Sequence, residues 1–258
     1  MKPEIAIILV LYKTNQNILE KSISSLLQIP NVNVYFIDHS PTNTLENTIP
    51  KKQNFYYYFR NANPGFGEGN NFAVSQLKQE TILCFCNADL YLEKESIHSL
   101  QKILLGDDSI GILSGKIYST DSSIQKLNKT NPTVLGLLGR RFPFLQALNL
   151  VRNSVQNYEL RNFDYENSAE VEFLSGSFLM MRKEVFLKAG GFDKRYFLYF
   201  EDADLCRTVQ KLDLKTVYFP VSIGIHEYGR ASHKNLKIFF LFVKSMVSYF
   251  RKWGWKWK

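Results

Sequence analysis

The chain has 258 residues, of which 45% are hydrophobic and 22% charged, so it is long enough to bury a full core and has an ordinary globular composition. No apolar stretch approaches the roughly 18 residues of a membrane-spanning helix, and no signal peptide is recognisable. The cysteines Cys84, Cys86 and Cys206 lack zinc-ligand spacing. They are expected to be buried thiols in a reducing cytosol.

The formal net charge of +8 is concentrated near the C-terminus. From His226 onwards a single acid, Glu227, accompanies eight basic residues: Arg230, Lys234, Lys237, Lys244, Arg251, Lys252, Lys256 and Lys258. A pI near 9.2 and aromatic residues among these charges raise the alternative of a nucleic-acid-binding protein. That alternative is disfavoured, because the charge is confined to one terminus and no nucleic-acid-binding motif is present.

Predicted strands alternate with predicted helices in the first part of the chain. Residues 5–11 are a continuous apolar run, typical of a strand buried on both faces of a parallel sheet. Further strands are predicted over residues 32–37, 54–60 and 81–86. Helices are predicted after Asn15 or Asn17, where apolar residues recur at helical spacing, and over residues 71–79. The alternation predicts an α/β fold with a mostly parallel central sheet flanked by helices.

Two acidic residues are predicted at the carboxyl ends of strands, where open parallel sheets bind ligands. Asp38 follows the second strand, and Asp89 lies in Asn87-Ala88-Asp89 after the fourth. A carboxylate at this edge can bind a divalent cation, because Mg²⁺ and Mn²⁺ prefer oxygen ligands and often share them with phosphates. The alternative is that Asn87 and Asp89 only form a turn.

The glycines Gly65, Gly67 and Gly69 do not form a dinucleotide-binding fingerprint. That fingerprint has G-x-G-x-x-G spacing and occupies the first strand-to-helix turn, whereas these glycines follow the third strand with a different spacing. We expect them to allow a tight backbone pass beside a ligand.

The most informative segment is 190–207, in which Glu201, Asp202 and Asp204 follow an aromatic run at 196–200. Acids at the start of a helix complement its dipole and cap free N–H groups. Capping needs only one acid, however, and carboxylates held against aromatic rings tend to have raised pKa values, which suits a general base. Both a capping role and a catalytic role fit the segment.

Together these motifs resemble the inverting family 2 glycosyltransferases of the GT-A fold, and in particular the bacterial rhamnosyltransferases of O-antigen and polysaccharide assembly. The resemblance covers nearly the whole chain. It is carried by residues 7–12, Ile37-Asp38-His39-Ser40, the loop 63–71, Asn87-Ala88-Asp89, Ser175-Gly176-Ser177-Phe178, residues 191–205 and His226.

The resemblance implies the roles of individual residues. Asp202 is the general base, with Glu201 as the alternative, and Asp89 and His226 hold a divalent cation, Mg²⁺ or Mn²⁺, on the donor diphosphate. Asp38 contacts the nucleobase. The other implied residues are Val10, Tyr12, Asn63, Gly65, Asn70, Asn87 and Ala88 on the donor side, and Ser175, Gly176, Ser177 and Tyr199 on the acceptor side. Many relatives have Asp where this chain has Asn87, so metal binding rests more heavily on Asp89.

The implied reaction is an inverting transfer of a sugar, with dTDP-L-rhamnose as the leading donor, to a saccharide acceptor carried on a lipid. The alternatives are another nucleotide sugar, such as a UDP-hexose or UDP-galactofuranose, and a catalytically silent partner subunit. The retained Asp89, Glu201 and Asp202 argue against the silent subunit.

The domain organisation is predicted as a catalytic domain over 1–225 and a basic amphipathic tail over 226–258. Within the catalytic domain, 1–119 form the nucleotide-sugar-binding half and 120–225 the acceptor-side half. In the tail, apolar residues recur at helical spacing before Trp253, Trp255 and Trp257. Interfacial tryptophans and basic residues favour attachment to the anionic inner face of the plasma membrane by the residues after Phe250. The alternative is a terminal helix packed on the core.

Overall fold

The computed structural model describes residues 4–227 and 236–258, and a nine-stranded sheet runs through them. The strands are β1 (Ile5–Leu11), β2 (Val32–Asp38), β3 (Phe55–Phe59), β4 (Ile82–Cys86), β5 (Leu90–Leu92), β6 (Ile110–Tyr118), β7 (Ala169–Glu170), β8 (Phe178–Arg182) and β9 (Lys215–His226). The α-helices are α1 (Gln16–Leu26), α2 (Phe66–Gln76), α3 (Ser96–Gly106), α4 (Val134–Arg141), α5 (Asn149–Tyr158), α6 (Lys183–Lys188), α7 (Glu201–Gln210) and α8 (Leu236–Trp253). Short 3₁₀ helices cover Glu46–Thr48 and Pro143–Ala147.

The sheet has the order β3-β2-β1-β4-β8-β6-β9-β5, with β7 paired to β9. Strands β3, β2, β1 and β4 are parallel to one another, and β6 is parallel to β9. Strand β8 is antiparallel to both β4 and β6 and joins the two parallel groups. The predicted α/β class, with a mostly parallel central sheet flanked by helices, is confirmed.

Alternation along β1 divides the interior into two hydrophobic clusters, one on each face of the sheet. Ala6 and Ile8 belong to the cluster that includes residues of α2, α6, α7 and α8. Ile5, Ile7 and Leu9 belong to the cluster covered by α1 and α3. Because successive side chains of a strand point to opposite faces, an uninterrupted apolar run is what a strand covered on both faces requires.

The carboxyl ends of the parallel strands lie at one edge of the sheet. Leu11, the last residue of β1, is paired with Asp38, the last residue of β2. Leu9 is paired with Cys86, so Asn87-Ala88-Asp89 leaves the sheet at the same edge. The predicted ends of these strands agree with the structure to within one residue.

Helix α2 differs from its prediction, because it begins at Phe66 and ends at Gln76 rather than covering 71–79. Glycine lowers helix propensity, so Gly67 and Gly69 favour a loop by sequence alone. Tertiary packing overrides that preference. A Cβ on Gly67 would lie 2.8 Å from Cβ of Phe192, and one on Gly69 would lie 2.8 Å from Cε1 of His39. The glycines allow the helix to approach its neighbours closely.

The C-terminal segment, which the sequence sets apart as a tail, is packed into the molecule. Tyr249 and Phe250 of α8 are almost fully buried in the hydrophobic cluster that also contains residues of α2 and α7. Lys252 Nζ donates to Asp204 Oδ2 at 2.7 Å, and Trp253 Nε1 donates to Asp204 Oδ1 at 2.7 Å. The predicted boundary at 225/226 also falls inside β9, before its last residue. Arg230 and Lys234 of the predicted tail lie outside the described residues.

Residues 256 and 257 also supply hydrogen-bond acceptors to the first N–H groups of another helix. The carbonyl oxygens of Lys256 and Trp257 accept hydrogen bonds from the backbone N–H groups of Val134 and Leu135, at 2.9 and 3.1 Å. The first N–H groups of a helix lack partners within it, so these contacts complete the N-terminus of α4. Among the helices in the described ranges, none is long and apolar enough to cross a bilayer.

Removing residues 251–258 is therefore expected to destabilise the fold. The deletion removes two side-chain donors, Lys252 Nζ and Trp253 Nε1, from the carboxylate of Asp204, which is 2% exposed. We expect a loss of at least about 2 kcal/mol, measured by urea unfolding. Removing Lys258 alone is the control and should change little. Unfolding of the 251–258 deletion at the wild-type urea concentration would contradict these assignments.

Candidate active site

The acidic pair Glu201 and Asp202 begins α7 directly after two residues in the left-handed backbone region. Tyr199 has φ 68° and Phe200 has φ 70°. Neither is glycine, so each costs about 1–3 kcal/mol, which the surrounding structure must offset. The carbonyl of Phe200 then accepts from the N–H of Asp204 at 2.8 Å, which closes the first turn of the helix. The strained turn determines where both carboxyl groups lie.

Helix α8 holds this turn from one side. The ring of Phe242 lies 5.7 Å from the ring of Tyr199 and 5.2 Å from that of Phe200, and the Tyr249 ring lies 5.5 Å from that of Phe200. Ser245 Oγ donates to the carbonyl of Leu198 at 2.8 Å. Aromatic contacts of this kind contribute about 0.5–1.5 kcal/mol beyond the area they bury. Together they are of the size needed to offset the backbone strain.

The glycine-rich loop holds the turn from the other side. Gly65 has φ 105°, and a Cβ there would lie 2.2 Å from the carbonyl oxygen of Phe197. The next N–H, that of Phe66, donates to the same oxygen at 3.1 Å. The tight pass expected beside a ligand is therefore made at Gly65 against the chain's own segment before α7. Asn63 supports the loop by accepting from the Gly65 N–H at 3.1 Å.

The two acids of the pair have different surroundings. Asp202 is half-buried, and its Oδ2 and Oδ1 accept from the N–H groups of Gly176 and Ala203, each at 2.9 Å. Glu201 is buried, and its Oε2 has no hydrogen-bond partner among the described residues. Burial raises the pKa of both groups, and in Asp202 the two N–H donors and Lys129 oppose that rise. The Asp202 charge raises the pKa of Glu201 further. The pair therefore combines a glutamic acid that favours its neutral form with an aspartate that ionises more readily.

Lys129 is a residue of this site that the sequence did not indicate. Its Nζ donates to the carbonyl of Leu127 at 3.0 Å and lies 5.6 Å from the centre of the Phe173 ring. Burial, helped by the positive charge of Arg140, lowers the pKa of Lys129 to about 8. A lone lysine in an irregular segment carries no signal in the sequence, because its proximity to Asp202 arises only in the fold.

The turn 175–177 connects the two ends of the site. The N–H of Gly176 binds Asp202, while the carbonyl of Ser177 accepts from the N–H of Asn87 at 3.1 Å. The hydroxyls of Ser175 and Ser177 lie 3.1 Å apart. The end of β4 and the start of α7 are thus separated by a short, hydrogen-bonded turn.

Asp89 and His226 lie side by side, with 3.0 Å between Asp89 Oδ1 and His226 Nε2. The pairing of β5 with β9 causes this, because Leu90 is in register with His226. Gln125, which the sequence did not indicate, fixes the imidazole. Its Nε2 donates to the His226 carbonyl at 3.1 Å, so its Oε1, 2.9 Å from Nδ1, accepts the Nδ1 proton. In the neutral ring, Nε2 then turns a lone pair toward Asp89 and the Asn87 amide, whose Nδ2 is 3.4 Å away.

This arrangement fits a divalent cation. A carboxylate oxygen and an imidazole lone pair repel each other at 3.0 Å unless a proton or a cation lies between them. Adjacent ligands of an octahedral ion bound at about 2.1 Å lie about 3 Å apart. No group of three or more His, Cys, Asp or Glu side chains in the described residues is arranged as a metal site. Asp89 and His226 would supply two of the ligands, and substrate oxygens and water suit the remaining positions of such an ion.

The predicted donor-side residues lie along the carboxyl edge of the sheet. Val10 and Tyr12 flank the end of β1, and the side chain of Tyr12 is 48% exposed. Asp38 is fully buried, with Oδ1 accepting from the N–H of Ser40 at 2.8 Å and Oδ2 from the hydroxyl of Tyr57 at 2.7 Å. Each carboxylate oxygen retains a second acceptor position for a ligand N–H. Asn70 is also buried, and its Oδ1 lacks a partner among the described residues.

A cavity of about 1210 Å³ gathers the remaining predicted residues. Its wall contains Asn87, Ser175, Gly176, Ser177, Tyr199, Glu201, Asp202 and His226. The other donor-side residues, including Ala88 and Asp89, are not part of that wall, although Asp89 contacts His226. The cavity also has basic and apolar sides, formed largely by residues of α4 and α8 and the segment before α4. The cavity therefore meets the carboxyl edge of the sheet at Asn87 and His226.

The chain matches the model of glycosyl transferase family 2 over residues 6–190. This is well over half of its length, so the chain belongs to that family. The sequence resemblance stated above is confirmed at the level of the family and of the GT-A fold.

Three similar proteins illustrate the relationship. The rhamnosyltransferase WbbL of Escherichia coli is 24% identical over 182 residues, covering 68% of this chain and 64% of WbbL. The N-acetylglucosaminyl-diphospho-decaprenol L-rhamnosyltransferase of Mycobacterium tuberculosis is 25% identical over 223 residues, covering 79% of this chain and 69% of that enzyme. The structure of the mannosyltransferase PcManGT from Pyrobaculum calidifontis, with GDP-Man and Mn²⁺, superposes with a TM-score of 0.64 and is 11% identical, covering 97% of this chain and 65% of that one. The chain thus spans less than two thirds of WbbL and of PcManGT.

The close approach at Gly65 can be tested by substitution. Gly65→Ala combines an unfavourable φ with a Cβ 2.2 Å from a backbone oxygen, and should destabilise the protein by at least about 2 kcal/mol. Gly190→Ala is the matched control, because Gly190 has φ 82° but nothing within 4 Å of its Cβ. Urea unfolding should show a clearly smaller loss for Gly190→Ala. Equal losses would mean that backbone conformation, not contact with Phe197, explains Gly65.

Proposed function

We propose that this chain is an inverting glycosyltransferase that moves a sugar from a nucleotide donor to a saccharide acceptor, in which Asp202 is the general base. The leading donor is dTDP-L-rhamnose, and the acceptor is carried on a lipid during bacterial surface polysaccharide assembly. The observation that carries the proposal is the carboxylate of Asp202, in the wall of a cavity that Asn87 and His226 also line. Family membership and the names of the rhamnosyltransferase relatives support it.

In the proposed reaction, Asp202 accepts the proton of the acceptor hydroxyl as that oxygen attacks C1 of the sugar. A hydroxyl has a pKa far above 7, so a positioned base assists the attack. The N–H groups of Gly176 and Ala203 orient the carboxylate, and Lys129 helps to keep it ionised. Since burial raises the pKa of Asp202 while only the ionised form is a base, activity should fall as the pH drops through that raised value.

Asp89 and His226 are the proposed metal ligands, with Gln125 orienting His226. When bound, a divalent cation offsets the negative charge that develops on the departing nucleoside diphosphate. Asn87 lies in the cavity wall beside His226 and is proposed to contact the donor sugar or ribose. Inversion requires the base and the leaving group on opposite sides of C1. The turn 175–177 lies between Asp202, which its Gly176 N–H binds, and Asn87, which its Ser177 carbonyl binds. The proposed base and the proposed metal ligands therefore approach the donor sugar from different elements.

Two alternatives remain within the family. One is a different nucleotide sugar with the same transfer chemistry, and the other is a subunit without catalytic activity. A UDP-hexose or UDP-galactofuranose donor would use the same residues with a different sugar. A silent partner subunit would need no general base, and the hydrogen-bonded Asp202 disfavours it. A thermal-shift panel of nucleotide sugars with and without Mn²⁺ distinguishes the donors, because a ligand that binds the folded state raises its stability.

We also propose that the protein works at the cytoplasmic inner face of the plasma membrane, where a lipid-linked acceptor is found. The support is the basic C-terminal segment, whose exposed residues include Lys244, Arg251 and Lys256. Each basic residue near an anionic surface contributes about 1 kcal/mol.

Asp202→Asn should retain the fold and donor binding but lose transfer by roughly 10²–10⁴-fold, because the amide cannot accept the proton. Glu201→Gln is the matched comparison. It should retain more transfer, since burial and the Asp202 charge already favour the neutral form of Glu201. Transfer is measured as nucleoside diphosphate release with acceptor, and donor binding by thermal shift. Near-normal turnover of Asp202→Asn would reject the assignment and point to Glu201.

Asp89→Ala should weaken Mn²⁺ binding by more than about tenfold, and Gln125→Leu by about 10–100-fold, because partners of metal ligands have effects of that size. Binding is measured by calorimetry in the presence of a nucleoside diphosphate. Glu4→Ala is the control, because Glu4 is exposed before β1, at the opposite end of the sheet. If both chelator and Asp89→Ala leave activity unchanged, the enzyme is metal-independent and basic residues stabilise the leaving group.

A further inference from the structure

The outer surface of α4 and α8 exposes large apolar side chains beside basic ones. In the segment 138–150, Phe144 is 73% exposed and Leu148 61%, and in α8 Leu236 is 74% exposed and Phe240 68%. Solitary exposed apolar residues are ordinary, but a group of large ones marks an interaction surface. We define the aromatic-basic face as the exposed residues Arg141, Phe142, Phe144, Leu148, Leu236, Lys237, Phe240 and Lys244.

Contacts between the two elements make this one surface. The guanidinium of Arg141 lies 5.0 Å from the centre of the Phe239 ring of α8 and 5.6 Å from that of Phe142. The Phe142 and Phe144 rings are 6.1 Å apart, as are those of Phe239 and Phe240. The 3₁₀ turn after α4 therefore lies beside the first turns of α8. On α8 itself, Lys237, Phe240 and Lys244 follow helical spacing and share one exposed stripe.

The charge of these elements has one sign. Residues 134–158 and 236–258 contain no acidic residue and nine basic ones: Arg140, Arg141, Arg152, Lys237, Lys244, Arg251, Lys252, Lys256 and Lys258. Arg140 and Lys252 pair with carboxylates of other segments. The other seven are exposed. This surface complements an anionic partner.

The same elements form a wall of the acceptor cavity. Leu137, Arg140 and Arg141 of α4 line it, as do Leu236, Ile238, Phe239 and Phe242 at the N-terminal end of α8. Phe144 and Phe240 do not line it. The cavity is thus bordered by the aromatic-basic face, with apolar side chains on both elements between its interior and the outer surface.

We propose that the aromatic-basic face docks on an anionic lipid bilayer, with Phe144 and Phe240 inserted at the interface, so that a lipid-linked acceptor reaches Asp202 without leaving the membrane surface. Exposed aromatic and leucine side chains among Lys and Arg are typical of interfacial segments. Protein interfaces are depleted in lysine, and most contacts of a protein with nucleic acid are hydrogen bonds to phosphate and sugar, which leucine and phenylalanine side chains cannot make. The acceptor route rests on the function proposed above, whereas bilayer docking does not.

The residues after Phe250 are not needed as the main anchor in this proposal. Trp253 is engaged with Asp204, and the Trp255 ring stacks on that of Phe250 with centroids 5.1 Å apart. Because this segment is tied to the fold, a truncation would confound anchoring with stability. Point substitutions on the aromatic-basic face avoid that difficulty.

The test is flotation of the full chain with phosphatidylcholine vesicles that contain or lack phosphatidylglycerol. Phe144→Gln combined with Phe240→Gln should lower the ratio of bound to free protein on anionic vesicles by at least about tenfold, given the size of the two rings. The control is Leu105→Gln combined with Leu187→Gln, since these leucines are 55% and 59% exposed on α3 and α6. It should bind like the wild type. Lys244→Gln with Arg251→Gln should reduce the salt-dependence of binding.

Some outcomes would overturn the proposal. These are equal binding of the two double variants, wild-type binding that is indifferent to anionic lipid, and a wild-type dimer that Phe144→Gln with Phe240→Gln converts to a monomer without affecting vesicles. Transfer supplies a separate readout. The phenylalanine variant should retain transfer to a water-soluble acceptor and lose transfer to a lipid-linked one in vesicles. If the wild type transfers no sugar at all, the proposed function fails, while flotation still decides the docking proposal.

Discussion

The position of Glu201 and Asp202, the carboxyl pair of the candidate active site, depends on a turn that the backbone alone disfavours. Tyr199 and Phe200 both occupy the left-handed region, which costs about 1–3 kcal/mol per residue. The glycine loop and α8 hold this turn from two sides, through the Phe197 carbonyl and through the Phe242 and Tyr249 rings. Gly65 lies more than 130 residues before the turn in the sequence, and Phe242 and Tyr249 lie more than 40 residues after it. The candidate active site is therefore formed by the whole fold and not by the 196–204 segment alone.

The same placement divides the roles of two adjacent acids. Glu201 and Asp202 share a helix start, yet the turn buries Glu201 and leaves Asp202 within reach of the Gly176 and Ala203 N–H groups. Backbone donors favour the charged form of a carboxyl, whereas burial without a partner favours the neutral form. Capping and catalysis, which the sequence left open, are thus not exclusive, because Asp202 binds a helix N–H and still faces the cavity.

Much of the fold was predictable because it follows from local pattern. Strand β1 was predicted at its observed bounds, since seven successive apolar residues fit a strand covered on both faces. The start of α2 was missed because glycine propensity favours a loop, while contact with Phe192 requires glycine in a helix. Gln125 and Lys129 were missed for a different reason. Their roles depend on proximity to His226 and Asp202, more than 70 residues away, which neither residue type nor spacing reveals.

The basic C-terminal segment shows how a single property of the sequence serves two structural purposes. Nearly all of its charged residues are basic, but on α8 some of them face the core and others face solvent. Lys252 points inward and neutralises Asp204 and Asp193 beneath α7, whereas Lys237 and Lys244 lie on the exposed stripe with Phe240. Helix α8 has 18 residues and is about 27 Å long, so it joins both regions as one rigid element. Whatever binds its outer stripe therefore contacts the element whose inner face holds Leu198 and Phe200, and hence the start of α7.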